Sequence, residues 1–363
     1  MVLAHSVASS VGHITADCKA DYTTETEACQ DVISKLHQID ITEKNELEKK
    51  FAPKRKTAEL LSESYRRIGF ENKAQSVAEC GTVLEFIHEI KDGHISEKGK
   101  LHGANFCKDR LCPLCSWRRT LKIFSQVSDI MKLIGTEYDF LFLTLTVPSV
   151  SEKELSPTLD RMFKAWYALS HRRRFLRSIK GFFRVLEITR NNKQSSKSYG
   201  LYHPHFHCIL AVDKRYFKEA EYIKRDEWLD MWQACYKDNS ITQVDVRRAR
   251  NKYDPEAQSA VLDLSSAVAE IAKYSVKSSD YIFSGDDELT DRIVTTLSNS
   301  LRNRRLSAYG GCFKESFEKL QLDDAEDGDL VHIGDEFDPS LAYIVIRYRW
   351  NVGCYLTTDI FKR

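Results

Sequence analysis

Three histidines at alternating positions, in His203-Pro-His205-Phe-His207-Cys-Ile-Leu, are the residues whose type and spacing point most directly to chemistry. In an extended strand residues i and i+2 point the same way, so His205 and His207 can converge on one cation while Phe206 packs on the other side. Two imidazoles leave coordination incomplete. Glu187, in Arg184-Val-Leu-Glu187-Ile-Thr, is the lone acid of a basic stretch and falls on the neighbouring strand, which makes it the expected third ligand. A carboxylate beside two imidazoles suits Mg²⁺ or Mn²⁺, although imidazole also accepts Zn²⁺ and Ni²⁺. His203 shares the same parity and is the rival ligand, with Pro204 expected to bend it away. A lone strand histidine would be read as a hydrogen-bonded structural group; the triplet with a carboxylate favours metal.

A second concentration of reactive groups is Ala269-Glu270-Ile-Ala-Lys273-Tyr274-Ser-Val-Lys277-Ser-Ser-Asp280-Tyr281. If this run is helical, at about 100° per residue Glu270, Tyr274, Lys277 and Tyr281 fall at roughly 0°, 40°, 340° and 20°, all on one face. A phenol is a weak nucleophile at neutral pH. It can attack a phosphodiester when a cation holds the non-bridging oxygens. Tyr274 is the expected nucleophile, Lys277 can grip the phosphate or lower the phenol's pKa, and Glu270 can act as a base. The plain alternative is an amphipathic helix with a wet polar side, and only the histidine pair upstream turns the signal into a site.

Cys107-Lys-Asp-Arg-Leu-Cys112-Pro-Leu-Cys115 gives C-x4-C-x2-C, and a closed tetrahedral zinc site needs a fourth ligand. Cys80 is the expected one and His102 its competitor. A structural Zn²⁺ module is preferred to free or redox thiols, because three cysteines crowd one short segment and no export signal is seen. Ser116-Trp-Arg-Arg119 then launches a helix whose Arg118 and Arg119 could rest on DNA.

The elements that must position these groups can be read between them. Phe140 to Val147 reads as a buried strand closed by Pro148, Ser156-Pro157 as the start of a helix, Phe182 to Thr189 and His205 to Val212 as two more strands. A helix with Trp228, Leu229 and Trp232 follows, then a strand from Ile241 to Val246. The order β-α-β-β-α-β is that of a ferredoxin-like α+β unit, an antiparallel sheet with helices on one side. A further helix is expected from about Ser259 to Ser279 and a last strand from Tyr343 to Tyr348. The expected domains are a polar, mainly helical N-terminal region (1–78), a Cys-rich zinc module (79–125), a ferredoxin-like domain carrying the histidine and tyrosine motifs (126–320), and an acidic linker with a C-terminal strand (321–363).

The formal charge of +1 over 363 residues hides a segregation. Residues 161–190 hold nine Lys/Arg against one acid, whereas residues 321–340 hold eight Asp/Glu and no Lys or Arg. The basic middle, including Arg172, Arg173 and Arg174, could track a phosphate backbone. Composition is that of an ordinary soluble protein, with 42% hydrophobic residues. No membrane span is expected, nor a secretory signal at the N-terminus, so the cytoplasm is the expected location.

Taken together these residues resemble the replication initiators of small bacterial rolling-circle plasmids, members of the HUH endonuclease superfamily. The resemblance spans roughly residues 80 to 330. It rests on the Asn105-to-Arg119 cysteine segment, Phe142-Leu-Thr-Leu-Thr146, His203-Pro-His205-Phe-His207 and Glu270-x3-Tyr274-x2-Lys277-x2-Asp280 in the family's order. It implies that His205 and His207 bind the catalytic cation. It also implies that Tyr274 forms a 5′-phosphotyrosyl bond at the origin, and that the freed 3′-hydroxyl primes synthesis. Glu270, four residues before the tyrosine, occupies the position of a glutamate that activates water for termination, with Tyr281 the alternative acceptor. The implied partners are origin DNA, single-stranded or hairpin at the nick, and the host helicase and polymerase; self-association is allowed. Two rivals remain: a non-catalytic zinc-stabilised DNA-binding regulator, and a related HUH relaxase or transposase.

Overall fold

The computed structural model describes residues 25–92, 94–218, 221–249, 251–254, 259–262, 276–334 and 340–362. The chain divides into two compact units, residues 1–115 with 330–363, and residues 116–329.

In the first unit three helices, α1 (Glu25–Lys50), α2 (Ala52–Arg67) and α3 (Glu71–Glu79), precede strands β1 (Val83–Lys91), β2 (His94–Ile95) and β3 (Lys100–Ala104). One edge of β1 carries β2 and β3, and the other pairs antiparallel with the strand Ala342–Asn351, from Val83↔Arg349 to Ile90↔Ala342. That strand continues through a tight turn into a second, Cys354–Lys362, which forms the sheet edge. Val352 (φ 42°) and Gly353 (φ 90°) both adopt the left-handed backbone that a two-residue hairpin turn requires. The C-terminal segment is therefore part of a sheet begun by residue 83 and not a separate strand after a linker. The N-terminal helices, the cysteine segment and the C-terminal hairpin make one unit where three domains were expected, because β1 finds its main partner some 260 residues along the chain.

The second unit opens with α4 (Pro113–Ile134), most of which lies in it, and β4 (Tyr138–Thr146). Helix α5 (Glu152–Ser170) starts earlier than Ser156-Pro157 suggested, because Ser151 and Glu154 form a capping box. Pro157 sits inside the helix. The short α6 (Arg173–Ser178) leads into β5 (Ile179–Arg190), then β6 (Tyr202–Asp213), α7 (Arg225–Tyr236) and β7 (Val244–Arg248). A hairpin, β8 (Asn251–Asp254) and β9 (Ser259–Leu262), occupies residues where the expected long helix was to begin. After it come α8 (Asp287–Leu301), capped by the Asp286 carboxylate on the Leu289 N–H, β10 (Ser307–Gly311) and α9 (Cys312–Lys319). The two C-terminal strands of the first unit complete the count as β11 and β12.

The main sheet of this unit runs β10-β5-β6-β4-β7, every neighbouring pair antiparallel. Both of its faces are covered, in contrast to the expected one-sided packing. On one face Phe140, Phe183, Val185, Ile209 and Ala211 pack with Ile123, Val127, Ile130 and Met131 of α4 and Phe313 of α9. On the other, Phe206 meets Phe163, Trp166 and Trp232, and Phe182 meets Trp166 and Phe175, bringing in α5, α6 and α7. The cause is local: β5 and β6 carry large apolar side chains at both parities, Phe182 with Phe183 and Phe206 with Ile209, and neither face can be left wet.

Candidate functional site

The register of β5, β6 and β4 puts Glu187 opposite His205, and His207 opposite both Val185 and Thr144. Paired residues share a face, so the glutamate and both imidazoles emerge together, with Phe206 directed to the other side. Glu187 Oε2 lies 2.9 Å from His205 Nε2 and 2.8 Å from His207 Nε2. All three side chains are buried. Burial opposes the charge on Glu187. The hydrogen bonds from His205 and His207 more than offset it and hold the carboxyl well below the usual carboxylate range.

The arrangement suits a cation on geometric grounds. Ligand atoms in cis positions at about 2.1 Å from an octahedral ion lie about 3.0 Å apart, close to the separations here. His205 Nδ1 faces the His203 carbonyl oxygen at 3.2 Å, which supports a proton on Nδ1, so that a cation taking the place of the Nε2 proton would meet the Nε2 lone pair. His207 is steadied in the same way by Thr144 Oγ1, 3.2 Å from its Nδ1. Glu187, His205 and His207 form a group competent to hold a metal, without His203. His203 stays in the strand, paired with Thr189, its ring 5.4 Å from that of His205 and its pKa lowered by burial.

Tyr274 and Glu270 lie outside the described residues. Lys277, exposed, has extended backbone (φ −78°, ψ 140°) and caps a 3-10 turn, Ser278–Asp280. The expected single helical face through Lys277 and Tyr281 therefore does not form. Tyr281 is only 1% exposed, which removes it as an accessible second acceptor in this conformation. Asp280, quoted in the motif without a role, sits close to the cluster. Its pKa is raised by burial, with the Glu187 charge adding to the effect. Asn192, two residues past the end of β5, donates to the Ser279 carbonyl at 3.2 Å, tying this turn to the strand that carries Glu187. Neither Thr144 nor Asn192 was singled out by residue type; Thr144 shares the i, i+2 alternation that revealed the histidines.

The four cysteines come together in the first unit. Cys80 Sγ is 3.5 Å from the sulfurs of Cys112 and Cys115, and Cys107 Sγ is 3.6 Å from that of Cys115. A tetrahedron of sulfurs at about 2.3 Å from a central ion has edges of about 3.8 Å, so the cage is of the right size. Backbone N–H groups of Cys107, Lys108 and Asp109 point at sulfurs of the set, as thiolates need. Without a cation the sulfurs cannot all ionise: the Cys112 thiol is pulled down while Cys80, Cys107 and Cys115 are pushed far up. The four cysteines could hold a metal. His102 instead packs with His332 and Tyr343.

The basic residues divide. Arg118 is buried, Arg119 donates to the Glu326 carbonyl, and Arg174 is gripped by Glu221 and Glu227. Arg184 is buried between the rings of Phe163 and Phe206 with its pKa lowered to about 10 by desolvation. Arg172 and Arg173 are exposed. The described start of the acidic run is equally occupied: Asp323 and the carbonyls of Asp324 and Asp329 hold the Lys122 ammonium, so residues 323–329 clamp α4.

Fold and site define an α+β protein with antiparallel sheets and two metal-competent clusters. A family described as replication protein matches residues 98–355. The protein rep of Bacillus amyloliquefaciens is 37% identical over 319 residues, covering 83% of this chain and 91% of that relative. The protein rep of Streptococcus pneumoniae is 33% identical over 297 residues, 80% of this chain and 86% of its own length. One from Staphylococcus aureus is 35% identical over 243 residues, 66% of this chain and 97% of its own. No solved structure matches. The chain belongs to the replication protein family, the resemblance its motifs carried. No helix among the described residues is long and apolar enough to cross a membrane.

Proposed function

We propose that this chain initiates rolling-circle replication of a plasmid by nicking one strand at its origin. The observation that carries the reading is the convergence of His205 and His207 Nε2 on one buried carboxylate oxygen of Glu187, on adjacent strands of an antiparallel sheet. The strand order β5-β6-β4-β7 with its helices supports a ferredoxin-like, HUH-type nuclease domain. His205, His207 and Glu187 would hold Mg²⁺ or Mn²⁺, and Cys80, Cys107, Cys112 and Cys115 a structural Zn²⁺. A divalent cation at the first site supplies charge neutralisation to the non-bridging oxygens of the scissile phosphate.

The chain's own residues do the rest. Tyr274 Oη attacks phosphorus, a Tyr–O–P bond forms, and the bond from phosphorus to the 3′ oxygen breaks. The phenolic proton passes to a base, for which Glu270 is the candidate, and the departing 3′ oxygen takes up a proton to become the primer hydroxyl. Lys277, exposed beside the segment, can pair with a phosphate oxygen. Glu270 later activates the water that releases the 5′ end. Arg172 and Arg173 offer exposed charge to the DNA backbone. Host helicase and polymerase would extend the primer, in the cytoplasm where the plasmid resides.

The test is incubation with end-labelled single-stranded origin DNA and Mn²⁺. Wild type should give a denaturation-resistant adduct mapping to Tyr274, and Tyr274→Phe should give none while binding DNA with unchanged affinity. An adduct on another residue displaces Tyr274. DNA binding with no adduct under any metal condition points to a non-catalytic regulator.

A further inference from the structure

We propose that the outer face of α5 and the start of α6 form a stacking platform for single-stranded DNA, separate from the metal cluster; the proposal rests on the reading of this chain as a DNA-nicking initiator. Tyr167 keeps 67% of its surface exposed. Its ring lies 4.1 Å from that of His171, tilted by 32°. The His171 ring is fixed from within its own helix end, with Nδ1 2.7 Å from the Tyr167 carbonyl oxygen and 3.3 Å from Ser170 Oγ. Two planar groups are thus held together in the open. They are not part of the core: the same helix turns Phe163 and Trp166 onto the sheet and Tyr167 away from it.

Charge along this stretch of chain has one sign. Residues 161–180 include seven Lys/Arg and no Asp or Glu. Arg161 donates to the Tyr236 hydroxyl, while Arg174 and Lys180 are paired with carboxylates. Lys164, Arg173 and Arg177 are exposed, and among the described residues no carboxylate pairs with them. At about 100° per residue Lys164, Tyr167 and His171 fall at roughly 0°, 300° and 340° around α5, a single face. Exposed rings beside unneutralised cations match a strand that offers both phosphates and bases. Paired bases are already stacked on each other, so the rings select unpaired ones.

The location says which strand. Helix α5 packs on the Phe182 and Phe206 face of the sheet, whereas Glu187, His205 and His207 emerge on the opposite face. A segment bound at Tyr167 is therefore a second stretch of single strand, away from the scissile phosphate. It could be retained while the first is cut.

The test is fluorescence anisotropy of a labelled oligothymidylate with the full chain and no added divalent metal, so that no strand is cleaved. Tyr167→Ala should weaken binding by about tenfold, the loss expected for one stacked base, while Tyr167→Phe retains it. Arg173→Gln should lower the slope of log affinity against log salt by about 0.7. Binding of a blunt duplex should be unchanged by Tyr167→Ala. Undiminished oligothymidylate binding by Tyr167→Ala, or equal loss on duplex and single strand, overturns the platform. So does a Tyr167→Ala variant that binds normally but sediments as a smaller species than wild type, which would make the face a contact between copies of this chain. Failure of wild type to form the covalent adduct defeats the nicking reading and leaves this titration as it stands.

Discussion

Glu187 Oε2 faces two imidazole nitrogens at once, and a buried oxygen so placed dictates what must lie between it and the rings. His205 is turned so that Nε2 meets the carboxylate; a proton lies between them in the metal-free protein, and a metal ion would take its place. Glu187→Gln removes the charge and keeps the shape. Mn²⁺ affinity should fall by at least about tenfold, the loss seen even when outer-shell partners of a ligand are removed, as read by isothermal titration. The metal-free variant should also be less stable at neutral pH by about 1–3 kcal/mol. The sign with pH follows from the depressed carboxyl. Its contribution is complete above the unfolded value of about 4.3 and is lost as pH falls towards and through the lower folded value, so the gap in Tm between wild type and Glu187→Gln should close on acidification. A gap constant from pH ~3 to ~7 would deny the ion pairing. At this scale the alternation of His205 and His207 was legible because a strand's period of two is a local rule. The fate of charges was not. Arg118 read as a DNA contact and is buried, and Tyr281 read as a spare acceptor and is enclosed. Burial depends on which elements pack over a residue, which its own neighbours in sequence do not specify.

The cysteine segment is an element that an ion would complete. Residues 105–112 form neither helix nor strand, and Lys108 holds a left-handed backbone (φ 59°). Such a segment buries little apolar surface to offset the entropy of ordering it. A cation held by the four thiols would supply what is missing: structural zinc binds such sets with roughly 10 kcal/mol or more, comparable with the stability of a whole domain. The purified protein should carry one equivalent of zinc that survives dialysis and is lost to a strong chelator or to Cys112→Ser. Its loss should open the segment to trypsin at Lys108 and Arg110. A metal-free protein cut no faster at these residues would mean that the sulfurs are packed without need of an ion. The C-x4-C-x2-C spacing was legible because three cysteines lie within nine residues; for the fourth position Cys80 was expected and His102 stayed a competitor, and the fold brings Cys80 to the cluster. The hairpin β8–β9 was not legible, since Ser259–Leu262 is a short apolar run that periodicity alone does not separate from the first turn of a helix.

At the scale of the chain, the first unit is built from its two ends. β1 pairs with β11 over eight residues, and β11 and β12 bring Ile344, Val345, Ile346, Tyr348, Tyr355 and Ile360 into the core of that unit. The Tyr355 hydroxyl donates to the Gly81 carbonyl at 2.7 Å, next to Cys80, and Trp350 Nε1 donates to Glu59 at 2.6 Å. None of this pairing could be read ahead, because a strand's partner is set by register and shape complementarity and not by its own pattern; Tyr343 to Tyr348 announced a strand without saying what it joins. Six buried side chains at about 1.5–3 kcal/mol each amount to roughly 9–18 kcal/mol, at or above the usual stability of a domain. A chain ending at residue 334 should therefore lose the first unit's fold and, with it, the cysteine-bound metal. The second unit draws its core from residues 116–329 and should persist, still binding Mn²⁺ through His205, His207 and Glu187. Metal stoichiometry and amide hydrogen exchange together read both halves of this outcome. Retention of zinc and of slow exchange in β1 by the shortened chain would show that the terminal hairpin covers the first unit without sustaining it.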